Sequence, residues 1–230
     1  MEKHTVSASL TDNTKYMNRA LPVKKSFDII ERNLIIGGQN SAFYFIDGFT
    51  KDETMLKLMD SFLNISADDM PEDATSFSTS CIPYVEVDIL GDFDSIFKNL
   101  LSGVTCLFID GYEAAIAIDC RTYPSRSIEE PDKDKSLRGS RDGFVETIVF
   151  NTALMRRRIR DPHLIMEMYE AGTSTRTDVA LCYMSDRVDR ELLTTIQNKL
   201  EESKSQDLKM SQQSLAESLF QRKWYNPFPK

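Results

Sequence analysis

Apolar positions in the first half of the chain predict strands joined by tight turns and followed by helices. β-Branched residues alternate with charges over Asp28–Ile36, GGQN at 37–40 is expected to form the turn, and Ser41–Phe49 is apolar, which is typical of a hairpin. Thr50 and Glu53 have the spacing of a helix capping box, and apolar residues recur behind them at helical intervals: Met55, Leu58, Met59, Phe62 and Leu63. A strand therefore leads directly into a helix.

The next stretch predicts a short helix between strands. Tyr84–Leu90 alternates weakly, and Asp92 or Asp94 can cap a helix with an apolar side made of Ile96, Phe97, Leu100 and Leu101. A second hairpin follows, with strands at Cys106–Ile109 and Ala114–Asp119.

The string Phe-Ile-Asp-Gly occurs twice, and it contains Asp47 and then Asp110. The two aspartates could form a pair of catalytic carboxylates, with or without a metal ion. Asp-Gly after an apolar run is also a common local turn, and the turn is the favoured interpretation.

Periodicity beyond residue 143 predicts a second helical and extended region. A helix over Phe144–Arg160 is ended by Asp161-Pro162. Leu164–Gly172 and Thr177–Met184 are predicted strands, and Ser185 or Asp186 is expected to cap a helix with Val188, Leu192, Ile196 and Leu200 on one face. A last helix is predicted over Ser211–Phe220.

A long polar segment separates these two regions. Arg121–Gly143 contains two prolines and two glycines, as linkers do. The predicted fold class is α/β, with two small α/β subdomains that have mixed sheets and are joined by this polar linker. The expected divisions are a flexible arm over 1–25, an N-terminal subdomain over 26–120, the linker over 121–143 and a C-terminal subdomain over 144–230.

Composition narrows the possible functions. The 230 residues carry a net charge of −8, which argues against a nucleic-acid partner, because phosphate binding needs a basic face. The four cysteines form no C-x-x-C pair and are expected to be reduced core residues. The two histidines favour no zinc site, and no cofactor or metal is expected. No apolar run reaches the length of a membrane span, so the chain is expected to be soluble and intracellular.

One stretch of this acidic chain is rich in arginine. Arg138 and Arg141 lie beside Gly139 and Gly143, directly before a predicted helix. Arginines at the start of a helix can bind an anion. They can equally tie the linker to acidic groups of both subdomains, and the sequence leaves both interpretations open.

The predicted helix itself ends in a cluster of arginines. Arg156 and Arg160 are expected to share a face at i,i+4, while Arg157 and Arg158 point to other sides, so the four cannot hold one ligand. A basic helix end suits interaction with the helix dipole, docking of a partner or closeness to anionic lipid.

These arginines belong to a recognisable pattern. RGSRDGFVE at 138–146, followed by Asn151 and by RRRIR at 156–160, resembles the hallmark stretch of the GerA family of spore germination proteins. YPSR at 123–126, Glu130-Pro131 and NPFP at 226–229 resemble its flanking segments, and the match runs from about Ser26 to Lys230. The candidate docking or ligand residues are Arg138, Gly139, Arg141, Gly143, Glu146, Asn151, Arg156, Arg157, Arg158 and Arg160.

The resemblance implies the soluble N-terminal portion of a longer, A-type subunit, with two α/β subdomains ahead of a membrane domain after Lys230. Family members are germinant receptor A subunits or related stage V sporulation proteins, and the motifs do not distinguish the two groups. The implied partners are the other receptor subunits, with a homo-oligomer in the full-length protein. The implied location is the spore inner membrane, with this domain on the cytoplasmic side, facing the spore core.

Three functional hypotheses follow. The first is a non-enzymatic signalling module that acts through subunit contacts, in which Arg138, Arg141 and Glu146 fix the geometry between the subdomains. The second is a small-ligand-binding module with its site in the cleft beside the arginine-rich linker. The third is an enzyme that uses Asp47 and Asp110 with a metal.

Overall fold

The structure is a computed structural model that describes residues 4–50, 52–83, 86–122 and 143–204. The chain divides into two compact units, an N-terminal unit over Met1–Pro162 and a C-terminal unit over His163–Lys230. Helices combine with antiparallel sheets, which confirms the α/β class.

The N-terminal unit is built on a five-stranded sheet. Its strands are β1 (Ile29–Ile36), β2 (Gln39–Ile46), β3 (Val87–Leu90), β4 (Thr105–Ile109) and β5 (Ala115–Ile118). Their order in the sheet is β1-β2-β4-β5-β3, so β1 and β3 are the edges. Every strand pair in the described residues is antiparallel, whereas mixed sheets were expected. Short hairpin turns enforce this direction at β1–β2 and β4–β5, because a parallel pair needs a long crossover.

Helices cover both faces of this sheet. The helices are α1 (Leu10–Ala20), α2 (Asp52–Leu63), α3 (Ala74–Ser80), α4 (Phe93–Leu101) and α5 (Ile148–Arg158). Met17 of α1 and Ile96 of α4 pack on the face that carries Tyr44 and Phe108. The other face packs against α2 and α3, through Phe62 among others. Burial on both faces explains why β4 and β5 are continuous apolar runs.

The expected flexible arm over 1–25 is wrong for most of its length. Residues 10–20 form α1, and Met17 is completely buried. The Val6 N–H donates to the Gly91 carbonyl, and the His4 carbonyl accepts from Phe93, which ties the chain start to β3 and α4. The sequence gives little sign of this helix because few of its residues are apolar, and those few pack, together with α4, on one face of the sheet.

The division between the units also differs from the expected one. The helix predicted over 144–160 is shorter, at Ile148–Arg158, and it belongs to the N-terminal unit rather than to the C-terminal subdomain. The segment 123–142, most of the expected linker, and the predicted helix 211–220 lie outside the described residues.

The C-terminal unit contains a hairpin and one helix among its described residues. Its elements are β6 (Leu164–Ala171), β7 (Thr177–Met184) and α6 (Arg190–Ser203), so both predicted strands are confirmed. The helix is capped by Asp189, which accepts from the Glu191 and Leu192 N–H groups, and not by Ser185 or Asp186 as expected. An aspartate at this position satisfies donors that the first helical turn leaves unpaired.

Candidate functional site

The first turn of the arginine-rich helix α5 is tied to the segment that precedes it. The Asn151 side chain accepts from the Val145 N–H at 2.7 Å and donates to the Val145 carbonyl at 2.7 Å, so it pairs with the backbone as a neighbouring strand would. Asn13 makes the same reciprocal contact with Ser7 at the fourth residue of α1. Each asparagine therefore fixes the direction in which the chain enters its helix.

Close packing holds the middle of α5 against a turn of the sheet. Gly48 follows β2 with a φ of +79°, and a Cβ placed there would lie 3.2 Å from both Ala153 and Val149. A side chain at this position would force α5 to shift by a few tenths of an ångström, and the positive φ is a second reason for glycine. The helix therefore lies directly on the end of β2.

The central feature of the site is a buried ion pair between α5 and the segment before β1. Arg156 is completely buried, and Asp28 is only 1% exposed. Arg156 Nε donates to Asp28 Oδ2 at 2.7 Å, and Nη2 donates to Asp28 Oδ1 at 3.2 Å. This two-point contact between the planar guanidinium and the carboxylate is the geometry that lysine cannot reproduce.

Further polar contacts complete the surroundings of this pair. Arg156 Nη1 donates to the Asp161 carbonyl at 3.0 Å, which ties the chain beyond the helix back to it. The Ser26 hydroxyl donates to Asp28 Oδ1 at 2.5 Å. We call Arg156, Asp28, Ser26 and the Asp161 carbonyl the arginine brace. A charged pair removed from water needs such additional partners, because the attraction of the two ions alone rarely offsets their lost hydration.

The structure separates the four arginines that the sequence grouped together. Arg156 is internal, whereas Arg157, Arg158 and Arg160 are exposed. Arg156 and Arg160 do not share a helix face, because α5 ends at Arg158 and Arg160 lies beyond it. The expected i,i+4 pair is therefore wrong.

The remaining predicted site residues also differ in their exposure and role. Gly143 and Glu146 are exposed, and Asn151 is the backbone clamp already described. Arg138, Gly139 and Arg141 lie outside the described residues. The sequence did not identify Asp28 as a site residue, because an aspartate at the start of a predicted strand carries no local sign of a partner 128 positions away.

The proposed pairing of Asp47 with Asp110 is wrong. Asp47 follows β2, and Asp110 follows the neighbouring strand β4, which is antiparallel to β2. The Asp110 N–H donates to the carbonyl of Asn40, at the other end of β2. With a rise of about 3.3 Å per residue, the two carboxylates are about 20 Å apart. A cavity of about 460 Å³ includes Asp110 but not Asp47.

The described residues contain no group of three or more histidine, cysteine or acidic side chains arranged to hold a metal ion. Asp110 has a structural role, because its Oδ1 accepts from the Leu10 N–H at 2.9 Å, at the start of α1. No helix within the described ranges is both long and apolar enough to cross a bilayer.

Asp47 lies close to the arginine brace, and its environment disfavours the ionised form. Burial raises the pKa of the Asp47 carboxyl above its ordinary value, and the nearby charges of Asp28 and Asp52 raise it further, although a hydrogen bond from the Gly48 backbone opposes them. When the pKa of a carboxyl is higher in the folded state than in the unfolded chain, the protein loses stability as pH rises above the pKa of the unfolded chain.

Replacing Asp47 by asparagine is therefore expected to stabilise the protein at pH 7. The advantage should shrink as pH falls through the raised pKa and vanish below about 3.8, the unfolded value, where Asp47 is protonated in both states. Urea unfolding from pH 7 to pH 3 gives the free energy of unfolding of Asp47→Asn and of the unmodified chain. The difference between the two values at each pH tests the prediction. A difference that is constant across the whole range would contradict the explanation.

A second polar cluster lies in the C-terminal unit, where it joins β6, β7 and α6. Tyr183 donates to Glu167 Oε1 at 2.6 Å, Tyr169 donates to Oε2 at 2.6 Å, and Gln197 donates to Oε2 at 2.7 Å. Partial burial and the bonded carboxylate raise the pKa of Tyr169 to about 12 and also raise the pKa of Tyr183. Three donors on one carboxylate tie the helix to the hairpin, and this is a structural role.

The fold and the brace together define an α/β unit whose arginine-rich last helix is fixed to its sheet. The family model of the Bacillus/Clostridium GerA spore germination proteins matches residues 15–230. The chain belongs to this family, which confirms the resemblance seen in the sequence.

Known members of the family include proteins from both expected groups. Stage V sporulation protein AF of Bacillus subtilis (strain 168) is 31% identical over 229 residues, which cover 99% of this chain and 46% of that protein. Spore germination protein KA of the same organism is 29% identical, over 85% of this chain and 36% of its own length. The uncharacterized membrane protein YfkQ, also from B. subtilis, is 27% identical over 98% of this chain and 43% of its length. This chain spans less than half of each relative.

A solved structure supports the fold. The crystal structure of the N-terminal domain of the A subunit of the Bacillus megaterium spore germinant receptor GerK3 matches with a TM-score of 0.64 at 20% sequence identity. The match covers 90% of this chain and 75% of that chain.

Proposed function

We propose that this chain is the soluble, non-enzymatic signalling module of a GerA-type subunit. It acts in germination through contacts with other subunits of a receptor complex. The full-length protein is a membrane protein of the spore, and this module lies on the side of the spore core. Family membership supports a role in germination, and the name of one relative, a membrane protein, supports the attachment.

The observation that carries the proposal is the arginine brace. It fixes α5, together with the chain as far as Asp161, on the N-terminal unit, and Pro162 is the last residue of that unit. A structural change in the sheet would therefore move this helix, and a force on the helix would reach the sheet. Such two-way mechanical coupling is what a module that relays the state of a complex requires.

The exposed residues at the end of α5 are suited to meet a partner. Arg157, Arg158 and Arg160 lie on the surface there, beside Ile159, which is 39% exposed. Arginine is enriched at protein interfaces relative to the rest of the surface. Arg138, Arg141 and Glu146 belong to the same family motif, and we propose that they also take part in contacts with the partner subunits.

The test uses the full-length protein in spores that depend on it for germination. The double variant Arg138→Ala/Arg141→Ala is expected to weaken subunit assembly about tenfold, the loss of roughly 1.4 kcal/mol from charge-assisted hydrogen bonds, and to slow germinant-triggered germination. Germination is followed by the fall in optical density of the spores, and assembly by co-purification of subunits.

Lys133→Ala/Lys135→Ala is the matched control, because it removes the same charge from the same segment outside the motif. Normal germination with intact complexes in the arginine variant would contradict the proposal. The alternative of a small-ligand-binding module stays a prediction, and a thermal-shift screen with amino acids, sugars and anions tests it.

A further inference from the structure

The outer edge of β1 offers a row of backbone hydrogen-bonding groups. The strand is an edge of the sheet, and no other strand of the described residues pairs with its outer side. The Asp47 N–H donates to the Asp28 carbonyl, which marks these two residues as a hydrogen-bonded pair of the β1–β2 ladder. Hydrogen-bonded pairs alternate along an antiparallel ladder, so the backbone groups of Glu31, Asn33 and Ile35 point outward.

The side chains of the same three residues line an open groove. Glu31 and Asn33 are opposite Tyr44 and Ala42 in the ladder, so they lie on the sheet face that α1 covers. The helix packs mainly over β2 and β4 and leaves the face of β1 accessible, with Ile35 65% exposed. The resulting groove has a volume of about 590 Å³ and is lined on its other side by Leu10, Thr11 and Thr14 of α1.

We propose that this edge and groove bind an extended segment of a partner protein by strand addition. Outward backbone groups of an edge strand supply the hydrogen bonds of such a complex, and a groove along the strand selects the side chains. The middle of this edge is accessible at Arg32, Asn33 and Ile35, and no proline or bulge interrupts its outward backbone groups.

The charges on β1 define the partner. Directly opposite residues in a strand pair interact, and like charges there are destabilising. The matching segment therefore places an apolar residue opposite Ile35, an acidic residue opposite Arg32 and a basic residue opposite Glu31. We propose the antiparallel direction, which every strand pair of the described residues has.

The same rule argues against a second copy of this chain as the occupant. A symmetric pair of β1 strands centred on Glu31 or on Arg32 places like charges directly opposite each other. A pair centred on Asn33 places the Glu31 carboxylate opposite Ile35 of the second copy. At these three registers, which place the polar middle of β1 at their centre, the charge pattern therefore favours a different protein over a second copy.

This inference adds a specific binding surface to the proposed function. It rests on the proposed function in one respect: the partner would be another subunit of the receptor complex. The test is a direct binding measurement on the 230-residue chain, so it is independent of germination. The probe is a fluorescein-labelled peptide of the length of β1, with the sequence Thr-Val-Thr-Asn-Glu-Lys-Val-Thr. Its control has the Glu and Lys exchanged, and fluorescence anisotropy gives both dissociation constants.

The matched peptide is expected to bind about three- to thirty-fold more tightly than its control, the factor that two cross-strand charge pairs provide. The double variant Glu31→Lys/Arg32→Glu keeps the net charge and should prefer the control peptide instead. Asn33→Pro removes an outward N–H group and should lower affinity at least tenfold. Proline is tolerated there, since this N–H is not part of the β1–β2 ladder. Asn33→Thr, which keeps the N–H group, should bind normally.

Absence of binding, equal binding of the two peptides by the unmodified chain, or unchanged affinity of a folded Asn33→Pro variant would overturn the inference. So would a dimer of the chain, seen by sedimentation, that Asn33→Pro dissociates, because a second copy would then occupy the edge. If Asn33→Pro does not fold, the exchange of preference in the charge-swapped variant decides alone. A negative result here leaves the germination test of Arg138 and Arg141 unaffected.

Discussion

Replacing Arg156 by alanine is expected to lower the free energy of unfolding by about 3–5 kcal/mol, because it leaves the Asp28 carboxylate buried without its counter-ion. The loss of the contact between Arg156 and the Asp161 carbonyl should also release the end of α5. Urea denaturation followed by circular dichroism measures the stability. Amide hydrogen exchange should show lost protection in α5 and at the start of β1.

Arg160→Ala is the matched control for this variant. It removes the same charge from an exposed residue two positions beyond α5, and it should change stability by less than about 0.5 kcal/mol. Arg156→Lys should recover only part of the loss, since an ammonium cannot make the two-point contact.

A double-mutant cycle distinguishes the ion pair from simple packing. If the ion pair is the cause, the double variant Arg156→Met/Asp28→Ala should lose clearly less free energy of unfolding than the sum of the losses of the two single variants. No uncompensated charge remains in the double variant. Strict additivity of the two changes would contradict the role given to the pair.

Replacing Gly103 by alanine is expected to destabilise the N-terminal unit by about 3 kcal/mol or more, from overpacking and backbone strain together. Gly103 has a φ of +100°, and its added Cβ would lie 2.4 Å from Cδ2 of Phe49. Phe49 is completely buried, so its ring cannot move out into solvent to relieve the contact. The thermal midpoint and the urea midpoint measure the effect.

Two other glycines separate the causes of this loss. Gly111 has a φ of +91° but no atom within 4 Å of an added Cβ, so Gly111→Ala should show the backbone strain alone, about 1–2 kcal/mol. Gly91 has neither a positive φ nor a close neighbour, and Gly91→Ala should be nearly neutral. Equal losses at Gly103 and Gly111 would show that the contact with Phe49 is unimportant.

Much of the local structure followed from the sequence, because local structure depends on nearby residues. The hairpin turn predicted over 37–40 is present but shorter, because β2 already begins at Gln39, and Gly37 and Gly38 have the positive φ values of +53° and +79° that a two-residue turn requires. Asp92 caps α4 by accepting from the Ser95 N–H, as one of the two predicted caps. The Thr177–Met184 strand has the predicted bounds. The sequence also contains the family motif, and the match to the family model confirms that the chain belongs to the GerA family.

The candidate site was only partly predictable. The sequence identified Arg156 within a group of similar arginines, but nothing in the sequence distinguishes the one that is buried. It also missed α1, because that helix has few apolar residues, although those few lie on one side of it. The pairing of Asp47 with Asp110, which rested on a shared string of four residues, was the less favoured alternative to a turn, and the structure excludes it. Antiparallel pairing of β2 and β4 puts the two aspartates at opposite ends of the sheet.

The sequence by itself determined the turns, most strands and helices, and the family, since these depend on patterns within a few tens of residues. Only the tertiary structure decided which arginine is internal, which carboxylate compensates it and which strand forms an open edge. The physical reason is that burial of a charge and pairing of a strand are properties of neighbours in space. Asp28 and Arg156 become neighbours only when the sheet and α5 pack together.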